Sequence, residues 1–291
     1  MSSPVIVLDE LTKVAPLGLR FWDVALNEPA GSGLNVIAYP TASSDLKTTA
    51  FSNSAGVYSF VGLPGLHRVE NGAGDDAFWA ANPPSVNFTV EVNDPNDRYL
   101  PFSFSVKLPA QRLFGFASSP PFLGTVPDSS WIPVFSTASR TFGSLAATIR
   151  AQLQDDGPKA PAAWALVSAQ FAGGPAMLGV ADGRGMVTLS IAYPEPPNSP
   201  FTSPLGAGSL KLTNQKWPIT ISVFYTPQPD PNGIPDLAKT LNQHAANVWA
   251  GTNHAAAAGG FAVNYGQELI LRSLNSTNGQ PLPVLLITTA P

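Results

Sequence analysis

One local pattern occurs twice in this chain, and it constrains the fold more than any other feature of the sequence. Asn53 stands three positions before Gly56, and Asp182 stands three positions before Gly185. In both copies, residues that alternate between two faces follow the glycine. This spacing is typical of a turn with one residue at positive φ that leads into a half-buried strand. The repeat therefore predicts two copies of one module.

Strand patterns surround both turns. They precede the first turn at residues 19–23 and 34–39 and the second turn at 147–153 and 163–167. Further strands are predicted at residues 85–92, 100–106, 217–225, 267–272 and 283–287. Because no helical crossover separates the early strands, we expect antiparallel meanders packed as sandwiches and not a parallel sheet.

The length and composition fit two strand-rich domains. The 291 residues exceed what one core usually organises, and 30 prolines and 25 glycines without a period indicate many turns. We predict a mainly β protein with a first β-sandwich over residues 1–115 and a second over 144–291. Residues 116–143 are predicted to form a Pro-rich linker or arm, and residues 193–209 a second extended segment.

A single helix is predicted, over residues 236–250 of the second module. Pro235 and Asp236 suit its first turn, and Gly251 suits its C-terminal cap. Leu237, Leu241, Val248 and Trp249 would form one apolar stripe. The remaining predicted strands follow this helix and complete the second sandwich.

The charge and cysteine content exclude several classes of function. Net charge is −4 with no basic run, so the electrostatic signature of a nucleic-acid-binding protein is absent. With no cysteine there is no disulfide, zinc–thiolate site or thiol nucleophile. The start of the chain lacks a basic signal-peptide region, and no apolar run reaches the ~18 residues needed to span a bilayer. We expect synthesis and folding in the cytoplasm.

The low share of charged residues bears on partners. Charged residues make up 12% of the chain, and a fully exposed surface of that kind would be weakly protected against association. One interpretation is that partners cover much of the surface. The alternative is a free surface rich in Pro, Ser and Asn.

Residues able to do chemistry are scattered. His67, His244 and His254 lie in no metal-ligand spacing, so surface or capping roles are expected for them. No nucleophile elbow, P-loop or dinucleotide fingerprint is present. Two adjacent carboxylate pairs, 75–76 and 155–156, could bind a cation, but neighbouring loop carboxylates are more often solvated. We therefore expect no catalytic residue.

Asp230, Asn232 and Asp236 form the strongest metal candidate. Oxygen ligands at these positions around Gly233 partly match a calcium loop. The segment lacks the fifth-position oxygen ligand and the final bidentate Glu. A Pro-Asn-Gly turn leading to an Asp-capped helix explains every residue equally well, so we predict no metal and no cofactor.

The tryptophans divide into two groups. Trp22, Trp164 and Trp217 sit in strand patterns and are expected in the core. Trp79 and Trp131 have Gly/Ala and Pro/Ser surroundings, which favours exposed interaction anchors. A Trp platform of this kind could bind a sugar.

The first turn carries a resemblance to a known family. Residues 49–65 contain Asn53, Gly56, Tyr58 and Phe60 in the order Asn-x-x-Gly-x-Tyr-x-Phe, followed by Leu-Pro. This segment resembles the carboxypeptidase regulatory-like sandwich, which is also called transthyretin-like or prealbumin-like. The resemblance implies a fold and implies no peptidase activity.

A second resemblance extends over most of the chain. It is carried by residues 97–102, 106–109, 162–165, 179–185, 193–196, 235–237, 249, 266–269 and 286–290. This series resembles proteins of extracellular contractile injection systems, which are phage-tail-like particles. The resemblance implies a structural role at the cap opposite the baseplate, with tube, sheath and tail-terminator subunits as partners. Tail symmetry would imply about six copies per particle.

Three functions therefore stay open at this point. The leading hypothesis is a structural cap or adaptor subunit that joins neighbours through strand edges and extended arms. The second is a module that binds carbohydrate or a cell surface near the baseplate or fibres, with Trp79 and Trp131 exposed. The third is a hydrolase that uses His244 or His254 with Asp236.

Overall fold

The mainly β prediction is confirmed by the fold. A computed structural model of the chain describes residues 14–72, 79–81, 83–110, 112–116, 127–143, 146–194, 215–228, 233–256 and 260–289. Strands dominate these residues, and the helices among them are short. Two hydrophobic cores organise the strands, one mainly in each half of the chain.

The first module consists of two sheets around one core. Its elements are β1 (Gly18–Asp23), β2 (Glu28–Pro29), β3 (Asn35–Pro40), β4 (Thr48–Thr49), β5 (Phe51–Ser52), β6 (Tyr58–Ser59), α1 (His67–Gly72), β7 (Val86–Asn93), β8 (Phe102–Leu108) and β9 (Trp131–Val134). One sheet has the order β2-β1-β6-β5 with β9 on β1, and the other has the order β4-β3-β7-β8. Buried aromatic side chains from both sheets, including Phe21 and Phe104, fill the space between them.

The second module has one continuous sheet. Its elements are β10 (Ala146–Asp155), β11 (Ala160–Pro161), β12 (Leu166–Phe171), β13 (Ala176–Val180), β14 (Met186–Ala192), β15 (Lys216–Phe224), α2 (Leu237–Leu241), β16 (Ala245–Trp249), β17 (Phe261–Asn264), β18 (Leu269–Leu271) and β19 (Leu285–Thr289). The path runs β11-β10-β19-β16-β15-β12-β13. Strands β14 and β18 also pair with β10, and β17 pairs with β15.

The two modules share their pattern of strand pairing. Strand β1 pairs antiparallel with β2 and β6 and parallel with β9. In the same way, β10 pairs antiparallel with β11 and β14 and parallel with β18 and β19. Strand β3 lies between β4 and β7, as β12 lies between β13 and β15. The internal repeat predicted from two turns therefore extends to the topology.

The first predicted turn forms as expected. The Asn53 side-chain oxygen accepts hydrogen bonds from the backbone N–H groups of Ala55 and Val57, each at 3.0 Å. Gly56 adopts a φ of 74° and donates its N–H to the Asn53 carbonyl at 3.0 Å. Only glycine adopts this φ without a steric penalty, which explains the spacing.

The second turn repeats this geometry. The Asp182 carboxylate accepts from the backbone of Arg184 at 2.8 Å and of Met186 at 2.9 Å. Gly185 has a φ of 76° and donates to the Asp182 carbonyl at 2.9 Å. An amide oxygen and a carboxylate oxygen thus perform the same local function.

The predicted helix 236–250 is wrong beyond its first turns. Helix α2 ends at Leu241, and Ala245–Trp249 form strand β16. Strand β16 pairs with β15 on one side and with β19 on the other. The Ala-rich sequence favours a helix locally, but pairing with two neighbouring strands overrides that weak preference. The predicted cap is confirmed, since Asp236 accepts the Lys239 N–H at 3.2 Å.

The predicted linker 116–143 is wrong in its described C-terminal part. Strand β9 pairs parallel with β1, so residues 131–134 belong to the first module. Ile132, Val134 and Phe135 are buried in its core. Their apolar side chains gain more from burial than a solvated arm would allow. Residues 117–126 and most of the second predicted arm, 195–209, lie outside the described residues.

The core predictions for tryptophan are confirmed at two of three positions. Trp164 and Trp217 are buried. Trp164 does not lie in a strand, however, because it has a φ of 62° and β12 begins only at Leu166. Trp22 lies on the outer face of β1, between the buried Phe21 and Asp23.

The two modules are joined by apolar packing. Leu237 and Leu241 of α2, together with Trp164, belong to the core cluster of the first module. The Ser103 N–H of β8 donates to the Pro235 carbonyl at 2.8 Å. The Gln243 amide donates to the Trp164 carbonyl at 2.7 Å. Helix α2 therefore closes the first core with side chains from the second half of the chain.

Candidate interaction surfaces

Proline blocks the hairpin edge in each module. Pro29 of β2 is the partner of Trp22, and Pro161 of β11 is the partner of Gln154. Proline has no N–H to donate, so neither short strand can extend its sheet by a further strand at that residue. These two edges are protected against uncontrolled pairing.

Strand β8 has an open edge. The Ser103 N–H points away from β7, because it bonds Pro235 instead. Backbone groups alternate in direction along a strand, so Ser105 and Lys107 point their N–H and carbonyl groups the same way. Within the described part of the chain these groups pair with no other strand, and both side chains are exposed. As far as the described residues go, the edge therefore offers unpaired backbone donors and acceptors to a partner.

Two exposed apolar side chains lie near strand β8. Ile234, which precedes the residue that bonds Ser103, is 47% exposed. Val86, the β7 partner of Leu108, is 42% exposed. Exposed apolar groups beside unpaired backbone are typical of surfaces that become covered on association.

The predicted anchor Trp131 is half-buried at the outer face of the first module. Its ring packs edge-to-face against Trp22 at 5.2 Å between centroids. The Arg20 guanidinium lies 4.2 Å from the Trp131 ring centre and is hydrogen-bonded to Ser130. Trp79 is also half-buried. The role of Trp79 and Trp131 as interaction anchors stays a prediction.

The structure describes only one of the three residues of the metal candidate. Asp230 and Asn232 lie outside the described residues, and the Asp236 carboxylate caps α2. Among the residues that the structure describes, no group of three His, Asp or Glu side chains could hold a metal ion. In that same part of the chain, no helix is long and apolar enough to cross a membrane.

His254 contacts residues other than Asp236, its partner in the hydrolase hypothesis. His254 bonds Asp156 at 2.8 Å and stacks on Trp249, with 4.9 Å between ring centres. Lys159 also bonds Asp156, and these two partners, Lys159 first, hold the pKa of its carboxyl below the usual value. His254 and Asp156 are 98 positions apart, so no local pattern could have predicted the pair.

Arg140 and a buried carboxylate connect the segment after β9 to the first module. Asp23 is 1% exposed, and it accepts hydrogen bonds from Tyr99 at 2.8 Å and from Arg140 at 2.7 Å. Burial, and secondarily the Asp23 charge, raises the pKa of Tyr99 to about 12. No local sequence pattern predicts this network, because its members come from three separate segments.

No protein-family model, characterised protein or solved structure shows a significant match to the chain. Both family resemblances therefore stay predictions, carried by the residues quoted for them. The geometry of the described surfaces is the remaining ground for a functional proposal.

Proposed function

We propose that this protein is a structural cap or adaptor subunit of a contractile injection system, a phage-tail-like particle. In this role it joins or terminates tube and sheath. The observation that carries the proposal is the open edge of β8, with exposed Ile234 near one end. The resemblance that extends over most of the chain supports the assignment to a contractile injection system.

Strand addition is the chemistry that this edge supports. A neighbouring extended segment would bond the outward N–H and carbonyl groups of Ser105 and Lys107. Such pairing uses backbone groups and tolerates different partner sequences, which suits a subunit between unlike rings. The charged fraction of 12% fits a surface that is covered on assembly.

The junction between the modules suits the same role. A terminating subunit has to hold its binding surfaces in a fixed relation, and Leu237 and Leu241 pack into the core of the opposite module. The Ser103–Pro235 hydrogen bond lies at one end of the open edge. A partner strand on β8 would thus contact both modules.

The expected partners are tube, sheath and tail-terminator subunits, with about six copies around the tail axis. Assembly would take place in the cytoplasm, and the protein would then be part of the particle. Mass spectrometry of cross-linked intact particles tests this, with Lys107 expected among the linked lysines. Particles of normal length and closed ends from a deletion strain would contradict the cap role.

A backbone substitution tests the edge itself. Ser105→Pro removes one outward N–H and leaves the β7 pairing intact, because that N–H faces away from β7. We expect loss of co-sedimentation with tube or sheath subunits. Ser105→Ala keeps the N–H and serves as the matched control. Equal co-sedimentation of both variants, with both folded by circular dichroism, would exclude the β8 edge.

A further inference from the structure

Two grooves lie along the outer face of β10 in the second module. One has a volume of about 310 Å³ and includes Thr148, Tyr193 and Gln267 in its lining. The other has a volume of about 400 Å³ and includes Gln152 and Ser139. Both volumes fall in the range of small-molecule sites, about 300–1,000 Å³.

A row of polar side chains connects the grooves. Thr148, Arg150 and Gln152 alternate along β10 with buried apolar residues, so all three project from its outer face. The row spans about 13 Å at the usual rise per strand residue. Arg150 lines the first groove, and its bond to the Ala138 carbonyl marks the boundary with the second. The two grooves thus lie next to each other along β10, and the lining of the second is mainly apolar.

Each groove pairs one basic group with one acidic group. Arg150 bonds Glu268 in the first groove. Arg184 lies 3.7 Å from Asp182 in the second. Paired charges leave little net field to attract an ion, yet they provide strong donors and acceptors for uncharged polar groups. The surface therefore suits a neutral ligand that both donates and accepts hydrogen bonds.

Contacts behind the first groove hold Arg150 and Tyr193 in place. The Arg150 guanidinium donates to Thr188 at 2.9 Å as well as to Ala138. The Tyr193 hydroxyl accepts the Gly266 N–H at 2.9 Å, and its ring packs 5.3 Å from that of Trp217. A ligand would meet side chains that are already ordered, which lowers the entropic cost of binding.

We propose that these grooves bind a neutral oligosaccharide. Its hydroxyl groups would exchange hydrogen bonds with Thr148, Gln152 and Gln267, and a ring face would pack against Tyr193. A phosphorylated or cationic ligand would meet, in each groove, a side chain of its own charge beside the side chain of opposite charge. The site is distinct from Trp79 and Trp131 and does not depend on the proposed cap role.

The test uses the full chain with cellotriose, maltotriose and chitotriose as probes. We expect at least one of them to shift the backbone amide NMR signals of residues 266–268. Thr148→Ala and Gln152→Ala should each weaken that binding by about tenfold, the effect of one lost hydrogen bond. Thr220→Ala changes an exposed strand threonine outside both grooves and should leave the affinity unchanged.

Three results would overturn the proposal. The first is no shift with any probe at millimolar concentration. The second is shifts confined to the indole signal of Trp131, which would place sugar binding on the first module. The third is binding of a proline-rich peptide at residues 266–268 with no response to the saccharides. None of these outcomes bears on co-sedimentation with tube or sheath.

Discussion

The turn at Gly185 in the second module packs closely against its sheet, whereas the equivalent turn at Gly56 in the first module does not. Strand β14, after the Gly185 turn, pairs with β10 over seven positions, from Ala146–Ala192 to Gln152–Met186. Strand β6, after the Gly56 turn, pairs with β1 over two. Phe51, on the strand before that turn, is 53% exposed. The same local turn thus leads into a long strand pairing in one module and a short one in the other.

The hairpins that follow β1 and β10 differ in how their acids are neutralised. Asp23 in the first hairpin is buried and is paired with Arg140 and Tyr99. In the second hairpin the acid that forms ion pairs is Asp156, one position later, and its partners Lys159 and His254 are exposed. Repeated topology therefore does not require repeated electrostatics. Substitutions at equivalent positions should show which interactions the shared topology requires and which are specific to one module.

The largest difference is expected at Arg140. Arg140→Met leaves the Asp23 carboxylate buried without its cation, which should lower the free energy of unfolding by about 3–5 kcal/mol. Lys159→Met removes a cation from the second hairpin at the surface and should change stability by less than about 1 kcal/mol. Urea denaturation measures both. Equal losses would contradict the contrast between the buried and the exposed pair.

The two turn glycines provide a direct comparison. A Cβ at Gly185 would lie 2.4 Å from the Leu153 carbonyl oxygen, whereas a Cβ at Gly56 would meet nothing within 4 Å. Gly56→Ala should cost about 1 kcal/mol from positive φ alone. Gly185→Ala adds a backbone clash and should cost about 3 kcal/mol in total. Thermal unfolding of the two variants measures this difference, and equal losses of stability would contradict it.

The buried phenol in the first module should give an alkaline signature. The raised pKa of Tyr99 means that its contribution to stability is complete below its ordinary value of 10.0 and is lost as pH rises toward about 12. Tyr99→Phe should remove that pH dependence and cost about 2 kcal/mol at neutral pH, because Asp23 loses a donor. Tyr225 of the second module has a pKa raised by burial and then by Asp155. Tyr225→Phe is the matched control. Absorbance at alkaline pH follows the ionisation of the tyrosine phenols.

The smallest expected effect is at the His254–Asp156 pair of the second module, in which His254 is exposed. Asp156 has a lowered pKa, so its contribution is present above the ordinary value of 3.8 and is lost as pH falls below it. His254→Ala should cost less than about 1 kcal/mol at pH 6 and reduce the loss of stability in acid. A stability profile from pH 3 to 7 checks the direction. An unchanged profile would mean that His254 does not lower the pKa of the Asp156 carboxyl.

The sequence predicted those parts of the fold that short-range patterns encode. The Asn53 and Asp182 turns and the long strands were foreseen, because spacing and alternation act within a few residues. Strand β9 was missed, since its pairing with β1 joins distant segments. The helix prediction failed at Ala245–Trp249 for the same reason. The grooves were not foreseen either, because Arg150, Glu268 and Arg184 come from separate elements.

The placement of Leu237 and Leu241 in the first core has a mechanical consequence. A force applied to one module is transmitted to the other through packed side chains and not through a flexible linker. The two halves cannot be pulled apart without exposing the apolar core of the first module. Under tension the molecule should therefore resist as a single body and then give way in one step.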